Sequence, residues 1–207
     1  IFVSLEHFYP RNMQVLGAPG TGKGVISTNL IWQLIAYDNA CIVFNPKPDK
    51  WAPIVLSHAC KAAGKKLIRI DLSANYPSIN PIMGTDQQSL YELLIAVFGL
   101  IRTADGISHY RNLDRKGAYI LSQLANENPN LTLPELSCLS RATLGDFAKE
   151  TENLLTQLEE LARIPAVQTD DGLDLAAFIA DGGCLLIEGD TVNESVITLM
   201  KMVLSRV

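Results

Sequence analysis

No apolar run in this 207-residue chain is long enough to cross a bilayer. The longest nearly unbroken one, residues 93–101, is about half of the ~18 residues a spanning helix requires. The chain starts at Ile1 without an initiator Met, and no basic stretch followed by an apolar signal core opens it. The expectation is a piece excised from something longer, with any membrane anchor lying outside it. Cysteine is scarce: Cys41, Cys60, Cys138 and Cys184 form no C-x-x-C pair, and His7, His58 and His109 show no metal-site spacing with them. This favours a reduced, intracellular domain with inert, buried thiols at Cys41 and Cys184. Also missing is an adjacent Asp-Glu pair after a hydrophobic run, so the usual catalytic carboxylate pair of a nucleotide hydrolase is not visible.

What is present is a well-cored globular composition, 48% hydrophobic against 19% charged, which excludes disordered, collagenous and coiled-coil classes. The length leaves room for one α/β domain, or one carrying a smaller inserted unit. The net charge of −5 conceals a gradient. Residues 1–84 carry 8 Lys+Arg against 4 Asp+Glu, residues 85–165 carry 7 against 11, and residues 166–207 carry 2 against 7. In the basic part, Lys61, Lys65, Lys66 and Arg69 cluster; a nucleic-acid surface and a solvated helix end both fit those letters.

Hydrophobic periodicity divides the chain into three parts. A short strand over 13–16, a glycine-rich turn and a helix over 23–36, with Ile26, Leu30, Leu34 and Tyr37 on one face, open it. A strand over 40–44, a helix over 51–63 and a strand over 66–70 follow, and this alternation predicts a parallel sheet with crossover helices. Two prolines and a glycine within 75–84 stop the alternation. Residues 86–164 read as helices only, over 87–102, 111–126, a short one after Pro134, and a long one over 144–163 with Leu154, Leu155, Leu158 and Leu161 on one face. A helix over 173–180, a strand over 184–187 and a helix over 191–206, N-capped by Thr191 and burying Val196, Leu199, Met200 and Val203, complete the chain. The predicted organisation is a nucleotide-binding domain in two parts, 1–84 and 166–207, interrupted by an all-α inserted domain at 85–165.

One motif carries chemistry. Gly17-Ala18-Pro19-Gly20-Thr21-Gly22-Lys23-Gly24 matches G-x-x-x-x-G-K, with Gly24 where Ser or Thr usually stands. The glycines let the backbone turn its N–H groups toward phosphate oxygens, the following helix adds its positive end, and Lys23 reaches the β- and γ-phosphates. The N–H groups of Gly20 to Val25 complete the cradle. Gly24 offers no hydroxyl to magnesium, so water, Thr28 or a residue outside the chain must complete that ion's shell. Asp71 after one strand, and Glu188 with Asp190 after another, sit where a hydrolytic carboxylate belongs, and a strand-end or helix-capping role fits each of them equally. In Asn45-Pro46-Lys47-Pro48-Asp49-Lys50-Trp51, Lys47 or Asp49 could touch nucleotide or substrate, or the segment is a stiff turn with Trp51 packed under the sheet.

The series V-L-G-A-P-G-T-G-K-G-V, a strand into N-P-K-P-D-K-W, a further strand, and I-N-P-I-M before a helical stretch resembles the TraG/TraD-type coupling proteins of conjugation and type IV secretion. These belong to the FtsK/HerA-like group of RecA-fold motors. C-L-L-I-E-G-D-T-V-N-E-S-V resembles the return strand and helix that follow the family's all-α insert. Asn45 stands where the family usually has Asp, and Pro48 where it has Gly. The resemblance implies a P-loop NTPase of RecA-like fold that binds ATP and Mg, with the Walker B strand expected downstream of Val207. It also implies a membrane-anchored homo-hexamer on the cytoplasmic side of the inner membrane, which passes single-stranded DNA and a relaxase or other secretion substrate to type IV secretion components.

Two other classes compete. G-x-P-G-x-G-K-G also resembles the phosphate loop of adenylate kinases, but Val25 stands at their Thr position and the eight arginines are scattered. A non-hydrolysing scaffold that binds nucleotide and recruits a partner through the acidic segment 85–165 is favoured by Gly24 and by the missing carboxylate pair.

Overall fold

A computed structural model describes residues 14–16, 18, 20–46, 50–74, 78–100, 108–168 and 173–206. Its centre is a three-stranded parallel sheet ordered β1 (Ala40–Asn45), β3 (Gly183–Glu188), β2 (Leu67–Asp71). The register pairs Cys41 with Cys184 and Leu67 with Cys184 at one end, and Asn45 and Asp71 with Glu188 at the other. All six residues of β3 are buried, because a middle strand of a parallel sheet is covered on both faces and reads as a continuous apolar run. Parallel strands need long crossovers. Here α1 (Lys23–Ala36) precedes β1, α2 (Ala52–Ala62) joins β1 to β2, and the whole helical stretch joins β2 to β3.

The two faces of the sheet bury different things. Cys41, Cys184 and Leu186, with Val43 and Leu67, face α1 and α2 and pack on Ile35, Leu56, Ala59 and Cys60. The alternate residues Ile42, Phe44, Ile68, Ile70, Leu185 and Ile187 face a much larger apolar cluster that continues without a break through the helices of residues 87–167 to the last helix. That second layer comprises α3 (Gln87–Val97), α4 (Ser108–Glu127), α5 (Leu133–Leu144), α6 (Glu152–Ala162), α7 (Leu175–Asp181) and α8 (Glu194–Leu204).

Several ends differ from the periodicity reading, each for a local reason. Residues 14–16 are not in a strand, and Leu16 is 78% exposed; Met13 lies outside the described residues. The helix expected over 87–102 ends at Val97, where Gly99 takes a left-handed φ of 63°. The helix after Pro134 is a full twelve residues, opened by a capping box in which Thr132 and Glu135 exchange hydrogen bonds. The long helix expected over 144–163 is divided by Gly145, at φ 57° and ψ −129°, into a 3-10 turn (Gly145–Glu150) and α6. The last helix is capped by Asn193, which accepts from the N–H groups of Ser195 and Val196, and not by Thr191. Asp190 accepts from Val192 N–H at 2.8 Å, and this turn delays the helix start.

The buried stripe of α1 also differs. Thr28 and Ile35 are buried with Ile31 beside them, whereas Ile26 is 44% and Tyr37 63% exposed. With Val25, Ile26, Leu30, Ile31, Trp32, Leu34 and Ile35 all apolar, periodicity leaves the helix's rotation open. A close approach at its first turn settles it.

Candidate phosphate-binding site

Only residues 37–39 separate α1 from β1, so α1 runs back along the sheet and its first turn lies at the carboxyl ends of the strands. A 14-residue helix and a six-residue strand both span about 20 Å, which brings the loop before α1 level with the end of β1. That edge is where open parallel sheets bind ligands.

The loop itself takes the conformation that its glycines predict. Gly20 and Gly22 have φ values of 80° and 83°, the left-handed region that a side chain resists. Gly22 is the N-cap of α1 and has no side chain to accept from the first-turn amides. The carbonyl of Ala18 gathers the remaining donors: Thr21 N–H at 3.3 Å, Thr21 Oγ1 at 2.8 Å and Lys23 Nζ at 2.7 Å. The Lys23 ammonium is therefore folded back over its own loop. Gly17 and Pro19 lie outside the described residues; Ala18 is described, Gly20, Thr21 and Gly22 lead directly into the helix, and Lys23, Gly24 and Val25 form its first turn.

Gly24 meets Trp51. A Cβ on Gly24 would lie 2.6 Å from Cζ2 and 2.9 Å from Cη2 of the indole. The ring, 42% exposed, therefore packs against the first turn of α1 and not under the sheet. Trp51 is the N-cap residue of α2, just past the end of β1, and this places it at the loop's edge. Lys47, Pro48 and Asp49 lie outside the described residues. The hydroxyl of Thr28 is buried and donates to Gly24 O at 2.8 Å within the helix.

The carboxylates flagged from sequence separate into two kinds. Asp71 and Asp190 are exposed, and each accepts from a backbone N–H two residues ahead at 2.8 Å, which is turn chemistry. Glu188 is 1% exposed and forms an ion pair with Arg69. Side chains alternate along a strand, so Asn45, Glu188, Arg69 and Asp71 fall on the α1/α2 face at the strand ends. Among the described residues, Asn45 Nδ2 and Glu188 Oε1 are buried polar atoms with no hydrogen-bond partner. No group of three His, Cys, Asp or Glu side chains among the described residues is arranged to hold a metal ion.

Two members of the basic cluster are held in ion pairs. Arg69 pairs with Glu188, and Lys65 pairs with Asp38 at 3.1 Å and donates to Asp181 O. Cys41, Cys60 and Cys184 are buried free thiols; burial pushes Cys41 up to about 11 and raises the other two, so all three stay protonated and unreactive at neutral pH. A cleft of about 820 Å³ lies in the helical layer, lined by Tyr110, Arg111, Asp114, Lys149 and Asn153 among others, and touches none of the loop residues. No helix among the described residues is long and apolar enough to cross a membrane.

The Gly24–Trp51 contact and the Arg69–Glu188 pair join residues far apart in the sequence and are not evident in it. The only advance signals were Gly at a position that usually carries a hydroxyl and the shared parity of 69 and 188 on their strands.

The fold and site thus define a mixed α/β chain with a small parallel sheet and a glycine-rich loop at a helix N-terminus. Over 124 residues the chain is 27% identical to a protein of Escherichia coli named Mobilization protein A, an alignment that covers 59% of this chain and 22% of that protein. The chain thus spans about a fifth of the length of that relative. No protein-family model matches it.

Proposed function

We propose that this chain is the nucleotide-binding part of a conjugative DNA-transfer protein, with Lys23 and the N–H groups of Gly20 to Val25 holding the phosphates of ATP. The observation that carries the reading is the pair of left-handed glycines, Gly20 and Gly22, placed directly before α1 with Lys23 beside them. Similarity to Mobilization protein A supplies the DNA-mobilisation context. In this reading the sheet is the core of a RecA-like P-loop domain and residues 85–165 are its helical insert. The whole protein is then a coupling protein, a homo-hexamer at the cytoplasmic face of the inner membrane. It delivers single-stranded DNA and a relaxase or other substrate to type IV secretion components.

The test is ATP binding by the chain and by Lys23→Ala, followed by ATP turnover of the full-length protein with and without single-stranded DNA. Binding lost in the variant, with its fold intact by circular dichroism, supports the reading. Equal binding by the two proteins refutes it. A second reading, a nucleotide-binding scaffold that does not hydrolyse, draws on the indole packed against Gly24. Nucleotide binding without turnover under any DNA condition selects it, and DNA-stimulated turnover removes it.

A further inference from the structure

In P-loop proteins the residue after the lysine supplies a hydroxyl to magnesium, which bridges the β- and γ-phosphates. The residues present here do not fit that ion. Gly24 has no side chain, and the room for one is filled by Trp51, whose Cζ2 would lie 2.6 Å from a Cβ. Magnesium takes oxygen ligands in near-ideal octahedral geometry, and the edge of an indole offers none. The neighbouring hydroxyls each donate to a backbone carbonyl: Thr21 to Ala18 O at 2.8 Å, Ser27 to Lys23 O at 3.1 Å, and the buried Thr28 to Gly24 O at 2.8 Å. Asp71 and Asp190 each accept from an amide of their own turn through Oδ1, and Glu188 pairs with Arg69 through Oε2, its Oε1 being buried without a hydrogen-bond partner.

We infer that the loop binds a nucleoside polyphosphate by its amides and Lys23, with no ligand to magnesium at position 24, so that the metal-free and magnesium-bound nucleotides bind almost equally well. Trp51 occupies the space beside Gly24 that a side chain there would take. The inference rests on the phosphate-binding reading above and narrows its ligand: the protein recognises the anion, not the metal–nucleotide chelate.

The experiment is calorimetric titration of the chain with ATP in magnesium and again in EDTA, with tryptophan emission of a Trp32→Phe background as a second signal that reports Trp51 alone. The expected result is affinities within about threefold of each other, both weakened at least about tenfold by Lys23→Ala. Tightening by magnesium of more than about tenfold overturns the inference and leaves the phosphate-binding reading standing. Absence of binding under both conditions overturns that reading, and the inference with it. The double variant Gly24→Ser with Trp51→Ala restores both hydroxyl and room, and its ATP affinity is expected to become at least about fivefold tighter in magnesium than in EDTA. A folded double variant still indifferent to magnesium overturns the assignment of the effect to Gly24 and Trp51.

Discussion

Arg206, just past the end of α8, donates to the carbonyl of Met83 at 2.9 Å and, through the same nitrogen, to the carbonyl of Pro81 at 3.0 Å and the hydroxyl of Thr85. The two carbonyls belong to the N-P-I-M-G segment, which forms neither helix nor strand, and Thr85 follows it directly. Asn80 in the same segment is buried; it accepts from Ile82 N–H and donates to Leu131 O at 3.2 Å. The irregular segment is therefore a clamp between the chain's last helix and the loop between α4 and α5. Pro81 has no backbone donor, and the carbonyls of Pro81 and Met83 are left for a guanidinium to collect. Burial lowers the Arg206 pKa from its ordinary value, and the group remains a cation.

Arg206→Ala leaves those carbonyls without their donor. The expected loss is about 2 kcal/mol in urea unfolding, the usual range for hydrogen bonds to a charged group. Arg206→Lys keeps the charge without the planar fork, and it should recover only part of the loss. An alanine variant as stable as the parent would show that the clamp contributes nothing.

Asp114 predicts a pH effect. Its carboxylate, 3% exposed on α4, accepts from Leu154 N–H and Asn153 Nδ2 in the first turn of α6 and so caps that helix from a neighbouring one. Burial raises its pKa, and the two hydrogen bonds offset only part of that. A carboxyl with a raised folded pKa binds its proton more tightly when folded, so its contribution falls as pH climbs from the unfolded value of about 3.9 through the folded one and is then constant. Asp114→Asn keeps an acceptor and cannot ionise. Its stability relative to the parent is expected to improve between about pH 4 and pH 7. A relative decline over that interval would mean that the charged cap outweighs its burial.

The sheet was the legible part of the sequence. Its strands are short apolar runs between turn residues, and β3 reads as unbroken hydrophobicity because it is covered on both faces. The turn before α1 was legible because its glycines, Gly20 and Gly22, take the left-handed conformation that their spacing suggests. What stayed hidden depends on contacts between distant positions or on choices between equal local signals. Thr191 and Asn193 are both good caps, and only the Asp190 turn decides between them. Gly145 inside an apolar period shows itself as a break only through its dihedral angles. The T-L-P-E signature of the Thr132 capping box was there to be read, and it marks where α5 begins. The rotation of α1 follows from Trp51 against Gly24, two residues that no period connects.

The Arg69–Glu188 pair gives the remaining prediction. Arg69 lies on β2 and Glu188 on β3, on the same face of the sheet, and the pair is lopsided: the Arg69 side chain is 54% exposed, while that of Glu188 is 1% exposed. Removing the partner of a fully buried ion costs about 3–5 kcal/mol, less where solvent reaches the pair, so Arg69→Ala is expected to cost about 2 kcal/mol. Most of that is the penalty of a carboxylate left buried without its counter-ion. Neutralising it should therefore relieve the damage: Arg69→Ala with Glu188→Gln is expected to be more stable than Arg69→Ala alone, with a coupling of about 1–2 kcal/mol in a double-mutant cycle read by urea unfolding. If the two substitutions simply add, Glu188 does not depend on Arg69, and the strand-end row of Asn45, Glu188 and Asp71 must be stabilised by other means.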